Sequence, residues 1–292
     1  MIKPLHRRIS SQSPAFWITG LAAVLSAGAV ILLFVTLAWE SIPVFRSEGF
    51  SFLWGAEWYA GETYGAWPMI FGSLVVTGLA IILVLPFALG SAVLTSEFLA
   101  GRARLIVKAA MELLAGVPGI VYGLIGMALL TGWVRNAFGL IDGNTLFTAG
   151  LLLAVMILPT VMTLAEDALR AVPGDVRDTA LALGLTRMET VWRVVVPQAL
   201  PGLAGAVFLG LGRAMGETIA VMLVIGGIDR IPQPWFNLFA PGQSIPSKIG
   251  REAAESLGFD LQWSALIALG LVLFVMVMTL TTLGQRLLRR AS

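Results

Sequence analysis

The chain has 292 residues and a mass of 31.1 kDa; 58% of its residues are hydrophobic, 12% are charged, and its mean hydropathy is +0.88. Soluble domains carry charge on about a quarter of their residues, so this composition excludes a soluble enzyme, a nucleic-acid-binding protein and a disordered chain. What remains is an integral membrane protein.

Small tallies exclude more. There is no cysteine, so disulfides and thiolate metal sites are out, and the single histidine, His6, sits in a basic tail suited to a solvated role. Zinc hydrolysis and Ser/His catalysis lose their central residue, and neither a metal nor a cofactor is expected. None of the three lysines, Lys3, Lys108 and Lys248, lies in a G-x-x-x-x-G-K-[ST] loop, so this chain does not hydrolyse ATP by that route.

Crossing a hydrocarbon core of ~30 Å takes about 20 apolar residues. Six stretches qualify, at 15–39, 69–95, 113–134, 146–165, 199–228 and 262–285. The first follows Lys3, Arg7 and Arg8, but its apolar run is too long for a signal peptide and no A-x-A site closes it, which predicts a retained anchor. Segment 40–68 carries Trp54, Trp58, Tyr59 and Trp67, suited to an aromatic belt at the membrane interface or to docking a partner. Before the third span, Glu112, Gly116 and Pro118 mark either a kinked helix end or a gate hinge, and Pro86 and Pro159 read as kinks. Glu97, Glu166 and Asp167, at span boundaries, read as solvated or as part of a coupling loop. In segment 229–261, four prolines predict a loop up to Pro246, followed by a short helix over 252–257.

Orientation follows from lysine and arginine in the loops. The N-terminal tail, loops 96–112 and 166–198, and the C-terminal tail together hold thirteen; the other loops hold five. Both termini are therefore expected in the cytoplasm. The predicted organisation is a tail and peripheral first span over 1–39, an outer loop over 40–68, a core transmembrane domain over 69–285 and a cytoplasmic tail over 286–292.

Loop 166–198 is the most informative polar segment. Pro173 and Asp175 suit a first helical turn, with Val176, Ala180 and Leu183 at helical spacing. Gly184 suits a left-handed cap. Thr186 and Glu189 have the spacing of a capping box for a second helix, on which Met188, Val191, Trp192 and Val195 share a face. Pro197 and Pro201 are expected to break the chain before the fifth span. Two such amphipathic helices can lie on a membrane or fit a partner's groove.

Within the spans the only ionisable groups are Arg213 and Glu217, and each charge at mid-depth costs roughly 2.5–3.5 kcal/mol. At i and i+4 they are expected to neutralise one another on one helical face. Gly205, Gly210, Gly212 and Gly216 already supply a close-packing face, so a costly ion pair that merely pins helices is the weaker reading. The favoured reading places the pair on a pathway, where the arginine fork suits an oxyanion. Glu217 would keep Arg213 neutralised in an empty path and accept a proton from hydrogen phosphate, which sulfate cannot offer.

Three segments carry a resemblance. Asp178, Thr179, Ala180, Gly184, Val194, Val196 and Pro197 resemble the EAA loop of ABC importer permeases, with Asp and Thr where that family usually has Glu and Ala. The stretch 210–221, including Gly212, Arg213, Gly216, Glu217 and Thr218, resembles the G-R-A-x-G-E-T-x-A-V segment of PstC-type phosphate permeases. Residues 112–123 resemble the same family's third-span segment, with Gly119 in place of Ser, and 52–58 resemble its first outer loop.

The resemblance implies an all-α membrane protein with six transmembrane helices, a type I ABC importer permease fold with an added N-terminal span. It implies phosphate as substrate and three kinds of partner: a second permease of the PstA type, a dimer of PstB-type ATP-binding subunits docked on the EAA loop, and an external phosphate-binding protein. The pathway then falls to Arg213, Glu217, Gly212, Gly216 and Thr218. Alternatives at this point are a permease for sulfate or molybdate, a stand-alone secondary transporter or channel, and a membrane-bound regulator.

Overall fold

The computed structural model describes residues 14–258 and 260–291. The tail with Lys3, His6, Arg7 and Arg8 lies outside the described residues. Lipid offers backbone groups no hydrogen-bond partner, so the apolar runs close their own bonds as helices. α1 (Pro14–Glu40) is exposed along most of its length and rests on the last helix, with Phe34 against Phe274 at 5.6 Å. α2 (Ile42–Ser47), α3 (Ser51–Trp54) and a hairpin of β1 (Trp58–Tyr59) and β2 (Thr63–Tyr64) then fold over one end of the molecule.

The second span is α4 (Trp67–Val93), which runs on through a π-helical turn at Leu94–Phe98. α5 (Gly101–Ala115) follows as a separate helix. The third span is built from α6 (Gly119–Ile125), a π turn at Gly126–Leu130 and α7 (Thr131–Phe138); the fourth is α8 (Leu146–Arg170). α9 (Gly174–Ala182) precedes the fifth span, which combines α10 (Arg187–Thr190), a π turn at Val191–Val195 and α11 (Val196–Met215). α12 (Ile219–Val224), α13 (Ile245–Glu252) and the sixth span α14 (Asp260–Ala291) complete the chain. Among the described residues, six helices are long and apolar enough to span a membrane.

The core forms where α4, α8 and α11 pack together. Ala80, Val84, Ala88 and Ala92 recur every four residues on one face of α4, all buried, so small side chains bring the helices close.

Several expectations are corrected. The third span runs from 119 to 138 instead of 113–134, because Gly116 to Pro118 interrupt the helix and leave α5 as its own polar-faced element. The fifth span runs from 187 to 215 instead of 199–228. Pro197 and Pro201 do not break it: the wide π turn at 191–195 precedes Pro197, and Pro201 is carried inside α11. That turn also splits the predicted face, burying Val191 and Val195 while Met188 and Trp192 stay exposed. The short helix expected at 252–257 is instead α13. Ser244 and Ser247 form a capping box at its start, and Pro246 is tolerated in its first turn. The aromatic segment is only partly an exposed belt, since Trp58 and Tyr64 are buried against one another.

Polar clusters close both ends. At the end carrying 96–112 and 166–198, Glu166 is not solvated but fully buried, paired with Arg104 at 2.6 Å and Lys108 at 3.1 Å; Lys108 also reaches Asp167. The hydrogen bond to Asp167 is the main reason the Lys108 amine is held above its ordinary value. At the opposite end, buried Lys248 pairs with Asp229 and Glu252 and lies 4.8 Å from the Trp58 ring, whose indole N–H donates to Glu252.

Burial pushes the Asp229 carboxyl above its ordinary value, against the pull of Lys248. A carboxyl with a raised folded pKa contributes stability that is fully present below its unfolded value and is lost as pH rises through the folded one. Across that acid range, Asp229→Asn is expected to lose less thermal stability with rising pH than the wild type, measured in detergent. Identical pH slopes would remove Asp229 as the cause.

Candidate translocation and coupling sites

α11 stops at Met215, and Gly216, Glu217 and Thr218 leave the helical path before α12 begins. The i, i+4 register between Arg213 and Glu217 is thereby lost, and the expected ion pair does not form. Instead Glu217 Oε1 accepts a hydrogen bond from the Ala220 N–H at 3.1 Å, satisfying a donor that the start of α12 leaves open. Thr218 Oγ1 donates to the Gly216 carbonyl at 3.4 Å.

Arg213 turns the other way. Its Nη1 donates to Thr160 Oγ1 of α8 at 2.7 Å, and its Nη2 donates to the Ala115 carbonyl at 3.2 Å. That carbonyl ends α5, where a helix leaves acceptors without intrahelical partners. The guanidinium thus bridges the fifth span, the fourth span and the break before the third. Of its five N–H donors, two are engaged by these contacts.

A cavity of about 660 Å³ lies beside it, lined by Thr160, Gly205, Leu209, Gly212, Arg213 and Thr281 among others. The glycine face expected to pack helices divides in two. Gly210 packs on Val161, whereas Gly205 and Gly212 have open space where a side chain would project and Gly216 meets only the backbone of its own preceding turn. Glu217 lines a separate, tight void with Ser73, Thr77 and Ser244. The structure therefore brings Arg213 and Gly212 together at the cavity and places Glu217 elsewhere.

Thr160, Thr281 and the Ala115 carbonyl are the polar groups that sequence reading missed. The hydroxyl of Thr160 beside Pro159 was the only trace of the first, and a carbonyl leaves none. Chemically the cavity combines an oriented guanidinium with hydroxyls, a set that can hold and orient an oxyanion.

At the other candidate site, α9 is followed after Leu183 by Gly184, whose φ of +87° is the left-handed conformation that glycine adopts without strain. Thr186 and Glu189 form the capping box that starts α10. Asp178 and Thr179 are exposed on α9, Ala180 is buried beneath them, Val194 and Val196 are half-buried, and Pro197 is exposed. Leu183, Met188 and Trp192 project as an exposed apolar set, with the Trp192 indole on the Met188 sulfur at 3.2 Å. Because α10 continues through the π turn into α11, the second arm of this motif, from Arg187 through Pro197, lies on one helical rod with Arg213.

The geometry has counterparts in known proteins. The sequence profile of the family described as "Binding-protein-dependent transport system inner membrane component" matches residues 85–292. The phosphate transport system permease protein PstC of Pasteurella multocida is 37% identical, over 90% of this chain and 86% of that protein. PstC of Mesorhizobium japonicum is 35% identical, over 92% and 86%. Among solved structures, the inward-facing MetNI methionine ABC transporter matches 77% of this chain and 94% of that one, with a TM-score of 0.62 at 18% identity. A bacterial alginate ABC transporter matches 94% of both chains, with a TM-score of 0.55 at 14% identity. At such identities the likeness is one of fold, that of a type I ABC importer permease with six membrane-spanning helices. By sequence profile and by relatives matched over most of their length, the chain belongs to the binding-protein-dependent transport system inner membrane components, on their PstC branch.

Proposed function

We propose that the chain is the permease subunit of an ATP-driven importer of inorganic phosphate and forms half of the translocation path. The observation that carries this reading is Arg213, held by Thr160 and Ala115 at the wall of a cavity between the fourth, fifth and sixth spans. The PstC relatives favour phosphate over other anions. The other half of the path comes from a second permease of the PstA type, phosphate is delivered by an external binding protein, and ATP is hydrolysed by a PstB-type dimer. This chain makes and breaks no covalent bond.

Both termini lie in the cytoplasm, a reading supported by the thirteen basic residues on that side. The ATPase then meets the exposed apolar face of α9 and α10, with Asp178, Thr179, Ala180, Gly184, Val194, Val196 and Pro197 building that docking element. Movement there travels along the rod to Arg213. Its remaining N–H groups bind phosphate oxygens, Gly212 leaves room beside it, and the anion passes toward the cytoplasm. Gly216, Glu217 and Thr218 form the break that sets where the rod ends.

The test is uptake of labelled phosphate by cells lacking this chain, with and without it restored, in the presence of excess sulfate or molybdate. Restored uptake that resists both competitors, fails on ATP depletion and survives collapse of the proton gradient is expected. Competition by sulfate or molybdate would transfer the site to that anion. Survival of ATP depletion with loss on gradient collapse would make the chain a secondary transporter.

A further inference from the structure

One side chain on α9 is spent entirely on holding that helix to the rest of the protein. Arg177 Nη2 and Nε form a fork on the Glu97 carboxylate, at 3.0 and 3.3 Å. Nη2 also donates to the Leu169 carbonyl at 2.8 Å, and Nη1 donates to the carbonyls of Val172 and, at 3.4 Å, Pro173. All five guanidinium donors therefore have acceptors. Glu97 lies in the π turn that ends the second span, Leu169 lies in the last turn of the fourth, and Val172 follows it. The cation thus sits at the C-terminal end of α8, where the helix dipole and the unpartnered carbonyls favour it.

The contact is largely enclosed: the two side chains are 22% and 11% exposed. The nearby pair of Arg193 and Glu189 is the contrast, 3.8 Å apart, 70% and 41% exposed, the kind of surface pair that contributes little. Lysine could not replace Arg177, because one ammonium cannot offer a planar fork and reach separate carbonyls together.

The two arms of the hairpin around Gly184 thereby run to different places. α10 is continuous with α11 and so with Arg213. α9 is fastened through Arg177 to the second and fourth spans, and the fourth carries Thr160, the partner of Arg213. We propose that Arg177 and Glu97 form the strut that converts movement of the docking hairpin into relative displacement of the fourth and fifth spans, opening the contact between Arg213 and Thr160. Arg177 is on this account a positioning residue of transport, touching neither phosphate nor nucleotide. The proposal rests on the reading that the hairpin docks the ATPase.

The experiment uses the complete importer, with its second permease, ATPase dimer and binding protein, in proteoliposomes. Three quantities are followed: retention of the ATPase subunits, ATP hydrolysis, and phosphate moved per ATP. Arg177→Gln and Glu97→Gln are each expected to retain the ATPase and hydrolyse ATP while phosphate moved per ATP falls about tenfold, within the usual span of coupling effects. The double variant is expected to be no worse than either single one, since both cut the same strut. Arg177→Lys is expected to behave as Arg177→Gln. Phosphate per ATP unchanged in both single variants would overturn the proposal. So would loss of the ATPase subunits from both, which would make Arg177 a builder of the docking surface alone. Leu183→Asp tests the docking reading by itself: it is expected to release the ATPase subunits, and their retention would sink that reading whatever Arg177 does.

Discussion

Arg213→Gln is expected to lower phosphate uptake by about 100-fold or more in membranes holding equal amounts of the assembled importer, a loss of about 2.7 kcal/mol of transition-state stabilisation. Glutamine keeps a donor but removes the charge, and a hydrogen bond from an ionised donor to an anion is roughly twice as strong as a neutral one. The shorter side chain also cannot bridge Thr160 and the Ala115 carbonyl, which hold the guanidinium through its two terminal nitrogens. Arg213→Lys restores the charge without the planar fork and should recover only part of the rate. Near-normal uptake by Arg213→Gln would remove this residue from the path.

The largest effect on stability is expected at the other end of the molecule, from Lys248→Met. The lysine side chain is 2% exposed and compensates two carboxylates, Asp229 and Glu252, while its ammonium lies over the Trp58 ring. Methionine fills most of the volume and leaves both carboxylates facing one another with no cation. Breaking a buried pair from one side costs about 3 kcal/mol or more. Asp229 already has one carboxylate oxygen buried without a partner, so little local slack exists to absorb the change. The measurement is thermal unfolding in detergent, with Asp229→Asn added in the same chain as a control. Removing one of the two stranded charges should return part of the lost stability; an unchanged midpoint in Lys248→Met would dismiss the cluster as a stabilising element.

The membrane spans were legible because a run of some 20 apolar residues has essentially one solution in lipid. Their ends were not. Hydropathy is blind to a helix break inside an apolar stretch, which is why Gly116 to Pro118 and Gly216 to Thr218 shifted the third and fifth spans. It is equally blind to π turns, each of which displaces the sequence period by a residue; the face read over Met188 to Val195 failed for that reason. Local capping chemistry was readable at Thr186 and Glu189 because it lies within four residues. The Arg213–Glu217 pair was misassigned because i, i+4 proximity presumes an unbroken helix. Lys248 read as one more loop charge: its spacing to Glu252 was visible, but Asp229 and Trp58 reach it only through the tertiary fold.

The helix from Arg187 to Met215 has 29 residues, a length of about 43 Å at 1.5 Å per residue. As a lever turning about its Arg187 end, it magnifies small angles: a tilt of about 5° carries the Arg213 end through roughly 3 Å, from the same rise per residue. That displacement is comparable to the whole length of the Arg213–Thr160 hydrogen bond. A gate built this way can switch without melting any secondary structure, and its travel depends on the stiffness of one helix more than on the depth of any well it leaves.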